Sequence, residues 1–139
     1  MKKKETAGWI MTAAITGGLA VTLGAFGAHT LKSSLTEYQL GIFETGVDYQ
    51  FYHALAIAVL AILAHHQPSQ YLKYAYTSFL IGIICFSGSL YLLATREILG
   101  IEAFTKILGP ITPIGGVLFT VGWICLLLHG LHLRKLNKD

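Results

Sequence analysis

The side chains in this chain that could do chemistry are weak bases, amides and hydroxyls, and they fall in four short stretches. They are His29; Tyr49, Gln50 and His53; Ser87 and Ser89; and Thr112. Histidine can relay a proton or ligate a metal, and two of them can hold a haem iron from both sides. His29 and His53 invite that reading, with a quinone ring as another guest for the same pair. Two imidazoles alone specify neither. Ser87 and Ser89 have no carboxylate nearby to orient a histidine as a base, so nucleophilic catalysis is not expected. The glycines form no phosphate-cradling or dinucleotide-binding pattern, because no strand precedes them. Cys85 and Cys125 each sit within an apolar run, where a thiol serves as a small hydrophobe rather than a metal ligand or half of a disulfide. The expectation is therefore a non-enzyme without cofactor or metal.

The elements that must position these groups are dictated by composition. Of 139 residues, 54% are hydrophobic and 12% charged, about half the charged share of a soluble domain. Such a chain cannot cover its own surface with polar groups, and its apolar residues come in long blocks, which points to lipid as the solvent. The net charge of +3 comes from ten Lys and Arg against seven Asp and Glu. These lie in short flanks, not in a stripe interleaved with aromatics, so no nucleic-acid partner is expected.

Uncharged runs at 7–28, 74–95 and 107–133 each reach the ~20 residues needed to cross the hydrocarbon. A weaker run, 51–64, has 14 residues and contains His53. Charge decides its status. With four crossings, Lys2, Lys3, Lys4, Lys73, Arg134, Lys135 and Lys138 share one side and Lys32, Arg96 and Lys106 the other, seven to three. With three crossings the split becomes five to five. The positive-inside rule thus favours four spans, near 8–29, 48–65, 74–95 and 112–133, as an up-down-up-down all-α membrane bundle forming one domain with both termini cytoplasmic. Residues 1–28 also resemble a signal peptide with a small-x-small site at Ala25-Phe26-Gly27. Their apolar stretch is longer than the usual ~7 to 15 residues and another membrane segment follows, so retention is expected.

Between spans one and two, Ser34 with Glu37 and Thr36 with Gln39 are both capping-box spacings, which predicts an outer-face helix leading into span two. Gly41 and Gly46 weaken that helix. Pro68 marks a tight inner hairpin between spans two and three. Gly109-Pro110 reads as a turn and Thr112-Pro113 as an N-cap followed by proline at the first helical position, so span four is expected to begin near Thr112. Small residues at four-residue spacing favour close helix packing in lipid. Gly17, Gly18, Gly24 and Gly27 are the candidates on span one, Gly88 on span three, and Gly115 and Gly116 on span four.

No span carries Lys, Arg, Asp or Glu in its middle, which removes the usual mark of an ion or proton pathway. Small-solute transport would then require an oligomer. With antiparallel spans, His29, Tyr49, Gln50, His53, Ser87, Ser89 and Thr112 all approach the outer interface. From the helical rise Ser89 lies about 9 Å below Thr95 and His53 about 7 Å below Asp48, so one layer could hold them. That layer could bind a lipid headgroup or a membrane-protein partner, or simply fix the helix register. His65, His66, His129 and His132 are expected at the inner interface, as anchors whose imidazoles reach water.

Four ordered motifs resemble a known family: Leu-Gly-Ala-Phe-Gly-Ala-His at 23–29, Tyr-Gln-Phe-Tyr-His-Ala-Leu at 49–55, Phe-Ser-Gly-Ser-Leu-Tyr-Leu-Leu at 86–93 and Gly-Pro-Ile-Thr-Pro-Ile-Gly-Gly at 109–116. The chain is similar to members of the bacterial inner-membrane family called domain of unknown function 423. The resemblance implies a multi-pass protein of the bacterial plasma membrane and supplies no biochemical activity. Its motif residues map here onto the same polar set, with Pro113 added. The partners expected are the bilayer itself and a membrane protein or a second copy of the chain.

Overall fold

The structure, a computed structural model, describes residues 3–136, and the described residues form helices and turns without a strand. Lys2 and Lys138, which contribute to the charge split, lie outside them, as does the side chain of Lys3. Helix α1 runs Lys3–His29, α2 Glu37–His66, α3 Gln70–Ala94 and α4 Thr105–Leu136. All four are long and apolar enough to cross a membrane. Within α3 the residues Ile83–Ser87 form a π-helical turn between two α-helical parts.

The helix starts follow from local chemistry. Thr36 caps α2: its hydroxyl accepts from the Gln39 N–H at 3.2 Å, and the Thr36 N–H donates to Gln39 Oε1 at 2.9 Å. The rival Ser34–Glu37 spacing is unused because Ser34 closes a 3-10 turn at Leu31–Ser33. Leu35 before the cap and Leu40 after it join one apolar cluster, the staple that fixes the entry angle. Helix α2 then continues through Gly41 and Gly46, so the expected outer-face helix and span two are one element. Ser69 caps α3 by accepting from the Leu72 N–H. After α3, a single turn at Arg96–Leu99 ends on Gly100, whose φ of +64° is the left-handed conformation that glycine tolerates.

Helix α4 departs from expectation. It begins at Thr105, passes through Pro110 and Pro113, and makes Thr112 an interior residue instead of a cap. Proline's fixed φ suits a helix; its cost is the missing N–H, which frees the carbonyls of Lys106 and Gly109. Both residues are exposed, so no neighbouring helix covers those carbonyls.

Consecutive helices are antiparallel. In the first pair Gly27 faces Phe43, Gly24 faces Val47 and Gly17 faces Ala54. In the second, Phe79 faces Gly122, Gly82 faces Phe119, Phe86 faces Gly115, and Ser89 meets Thr112. Each ring fills a notch that only glycine leaves open: a methyl group at Gly82 would stand 2.6 Å from the Phe119 ring. Without a hydrophobic drive inside lipid, such interdigitation supplies the association energy. Helices α2 and α3 form the centre, with 44% and 33% of their most apolar stretches buried, while α1 and α4, at 17% each, flank them and make little direct contact with each other. At the end carrying the termini, α1 is tied to α3 by the Trp9–Tyr76 stack, 4.5 Å between centroids, and by the Lys73–Glu5 ion pair at 3.2 Å.

Candidate functional site

The polar residues of α2 enter the bundle because they share its buried face. Phe43, Gly46, Gln50, His53, Ile57 and Leu60 recur every three or four residues and are all buried. Gln50 sits where three helices meet. Its Nε2–H donates to the Thr16 carbonyl at 2.8 Å, and its Oε1 accepts from the Tyr91 hydroxyl at 2.9 Å. The Tyr91 ring lies in the notch of Gly46, where a methyl would stand 2.8 Å from it, and 4.9 Å from the Phe43 ring. One side-chain amide thus joins α1, α2 and α3.

His53 is 4% exposed and engaged at both nitrogens. Nδ1 lies 2.7 Å from the Tyr49 carbonyl, which can only accept, so the ring proton is on Nδ1. Nε2 then accepts from the indole N–H of Trp123 at 3.3 Å. The imidazole lies flat on Phe119, 3.5 Å between centroids and 6° between planes, with Phe79 at 5.2 Å. Nearer the other end, the Ser89 hydroxyl donates to the Phe86 carbonyl at 3.0 Å and meets the Thr112 hydroxyl at 2.7 Å, which leaves Thr112 as the donor between them.

The single layer expected from the sequence is not formed. Phe119, level with His53, is seven residues from Thr112 along α4, so His53 lies about 10 Å deeper than the Ser89–Thr112 pair. His29 is exposed at the end of α1 and joins no described group. In the α1–α2 register it is level with residues near 41, which puts it about 17 Å from His53 along the helix axes. Two imidazoles so placed, one with both nitrogens engaged, cannot ligate one iron, and the pair does not fit a haem or a shared quinone. Tyr49 is 40% exposed, its ring 4.6 Å from Phe86. Ser87, in the π turn, is sealed with no partner for its hydroxyl.

The packing glycines divide as well. Gly17, Gly24, Gly27, Gly115 and Gly116 face a neighbouring helix, whereas Gly18 and Gly88 have nothing within 4 Å of where a Cβ would be, and hold no contact. Gly46 and Gly82, which carry two of the tightest contacts, were not singled out as packing positions by the sequence. Phe79 with Phe86, and Gly115 with Gly122, are each seven residues apart, and that matched spacing on antiparallel neighbours is the signal that marks them. At the termini end, His65, His66 and His132 are exposed, but His129 is 2% exposed and bonds Ser69 Oγ at 2.9 Å through Nδ1. It is part of the packing and no water-facing anchor. Ser69 Oγ is already the cap of α3, and His129 Nε2 has no hydrogen-bond partner among the described residues, so the contact reads as a cap. Both cysteines are free.

Gln50→Leu is expected to destabilise the bundle by about 1 to 3 kcal/mol, since it removes two interhelical hydrogen bonds of ~0.6 to 1.7 kcal/mol each. Equilibrium unfolding in mixed micelles measures this. Adding Tyr91→Phe should cost little more, and full additivity of the two would show that they do not act as one network.

Comparison with known proteins places this geometry in context. Residues 23–116, from the end of α1 into α4, match the family model described as "Protein of unknown function (DUF423)". A UPF0382 membrane protein of Staphylococcus aureus is 40% identical over 120 residues, covering 86% of this chain and 92% of its own length. The UPF0382 inner membrane protein YgdD of Escherichia coli strain K12 is 37% identical over 126 residues, 91% of each chain. A UPF0382 membrane protein of Staphylococcus epidermidis is 39% identical over 120 residues, 86% of this chain and 92% of the relative. No solved structure matches the chain.

Proposed function

The chain belongs to the DUF423 family of small multi-pass bacterial membrane proteins, and from that premise we propose that it is a non-enzymatic binding protein whose α1–α2 face receives a helix of a membrane-protein partner. The reading rests on where polar capacity is spent and where surface is left open. Gln50, His53, Ser89 and Thr112 direct their hydrogen bonds inward, so the network supports the bundle and offers a guest little. Open apolar surface lies on α1 and on α4, and the α1 surface borders a groove against α2.

The observation that carries the proposal is a groove between α1 and α2 in the half away from the termini. Val21, Gly24, Ala25, Val47, Asp48 and Phe51 line about 270 Å³ of space. That volume is small for a cofactor or drug-sized ligand, whose pockets span ~300 to 1,000 Å³, and suits a side chain or two of an approaching helix. Small residues let helix backbones come close in lipid, and the exposed Asp48 on the rim offers a charge partner to a basic residue at the end of that helix.

A photoreactive residue placed at Ala25 in intact membranes is expected to give a discrete protein–protein adduct, with a second copy recognised by its doubled mass. The same probe at Val59, half exposed on the lipid side of α2, is expected to label lipid alone. Ala25→Phe should suppress the adduct from a probe at Val21. Lipid adducts alone at every position would overturn the proposal.

A further inference from the structure

We propose that the cleft between the first turn of α3 and the last turns of α4 binds the headgroup phosphate of an anionic phospholipid. It encloses about 380 Å³ and is lined by Tyr71, Leu128, Leu131, His132, Arg134 and Lys135. The size is that of a pocket for a small polar group with part of its apolar tail. It lies at the termini end, away from both the polar network and the α1–α2 groove.

Chemistry and depth choose the occupant. Leu128, Leu131, His132 and Lys135 recur at three- and four-residue spacing and so share one face of α4. Along that face the surface changes from apolar to cationic within seven residues, about 10 Å, comparable to the passage from acyl chain to phosphate at a bilayer surface. Leu128 and Leu131 are 39% and 46% exposed, which a soluble anion would leave unused and a lipid chain covers. Tyr71 stands opposite, its ring 6.0 Å from that of His132, and closes the side of the cleft. Arg134 and Lys135 meet no carboxylate among the described residues, unlike Lys73 with Glu5 and Arg96 with Glu97. Two cations that meet no carboxylate among the described residues, over an apolar floor, match a phosphodiester bearing net negative charge. A zwitterionic lipid satisfies them less well, because its own cation competes.

Native mass spectrometry of the full chain, with phosphatidylglycerol added at graded ratios, tests the assignment. Removing both charges with Arg134→Gln and Lys135→Gln is expected to weaken phosphatidylglycerol retention about 30-fold, from ~1 kcal/mol per basic residue at a membrane surface. Leu131→Trp fills the cleft without changing charge and should also abolish retention, while phosphatidylcholine of the same chain length responds to none of these variants. Lys4→Gln removes one charge elsewhere at the same end of the bundle and should change retention less than twofold. If Lys4→Gln weakens binding as much as Arg134→Gln alone, the attraction is diffuse surface charge and the cleft is not a site. If inorganic phosphate displaces the lipid at millimolar concentration, the site belongs to a soluble anion, and if Leu131→Trp is silent the apolar floor plays no part. Either result overturns the proposal.

Discussion

Replacing Gly115 by alanine is expected to destabilise the bundle by about 3 kcal/mol, while the same change at the adjacent Gly116 is neutral or slightly stabilising. Alanine is favoured over glycine in a helix by about 1 kcal/mol, so propensity alone would make both changes beneficial. The surroundings separate them. A methyl at Gly115 would run into the backbone nitrogen of Phe86 and stand 2.7 Å from its Cβ and 2.8 Å from its Cα. Backbone cannot swing aside as a side chain can, so α3 and α4 must move apart, which puts the cost at the upper end of the ~1 to 3 kcal/mol usual for overpacking a core. At Gly116 the methyl meets only the Phe86 ring, at 3.8 Å, an ordinary contact. Phe86 belongs to the π turn of α3, the place where the α3 backbone comes hard against α4. Equilibrium unfolding of the two variants in mixed micelles measures the difference, and equal effects at 115 and 116 would contradict the interlock. Alanine at Gly82 or Gly122 should fall between the two, because the opposing Phe119 or Phe79 contact is made by a ring that can tilt.

His53→Ala is expected to cost about 2 to 3 kcal/mol of stability and to leave partner capture at the α1–α2 groove intact in the fraction that folds. Truncation removes the stack on Phe119 and opens a cavity beside Phe79, and large-to-small changes at such sites cost ~2 to 5 kcal/mol in water-soluble cores. In lipid the transfer part of that cost is reduced and the packing part remains. The indole N–H of Trp123 also loses its acceptor in an apolar setting. Unfolding curves give the stability, Trp123 emission reports the lost hydrogen bond, and crosslinking yield from a probe at Ala25 gives capture. Loss of capture with unchanged stability would return His53 to the role of a ligand group.

How far the polar network could be read beforehand follows from the range of each interaction. Gln50 and His53 were grouped by their nearness to the outer end of span two; their sharing one buried face of α2 is seen in the structure. Tyr91 lay inside one of the four motifs, yet nothing local reveals that its hydroxyl reaches Gln50, forty-one residues away in the chain. His29 was grouped with His53 because both are close to the outer ends of their expected spans. Helix α2 starts at Glu37, however, which carries His53 much deeper than the end of α1. Pro110 and Pro113 misplaced the start of α4 because proline's local signal is strong, and that the helix nevertheless runs from Thr105 through both appears only in three dimensions.

The sequence by itself determined the solvent, the number of crossings and the helical character of each, because transfer into lipid, helical rise and charge asymmetry are sums over neighbouring residues. Tertiary structure alone decided which glycines receive which rings, that α2 and α3 form the centre, and that the histidines part company. Those outcomes depend on interhelical distances of a few ångströms between residues far apart in the chain, where a single Cβ decides whether two backbones can meet.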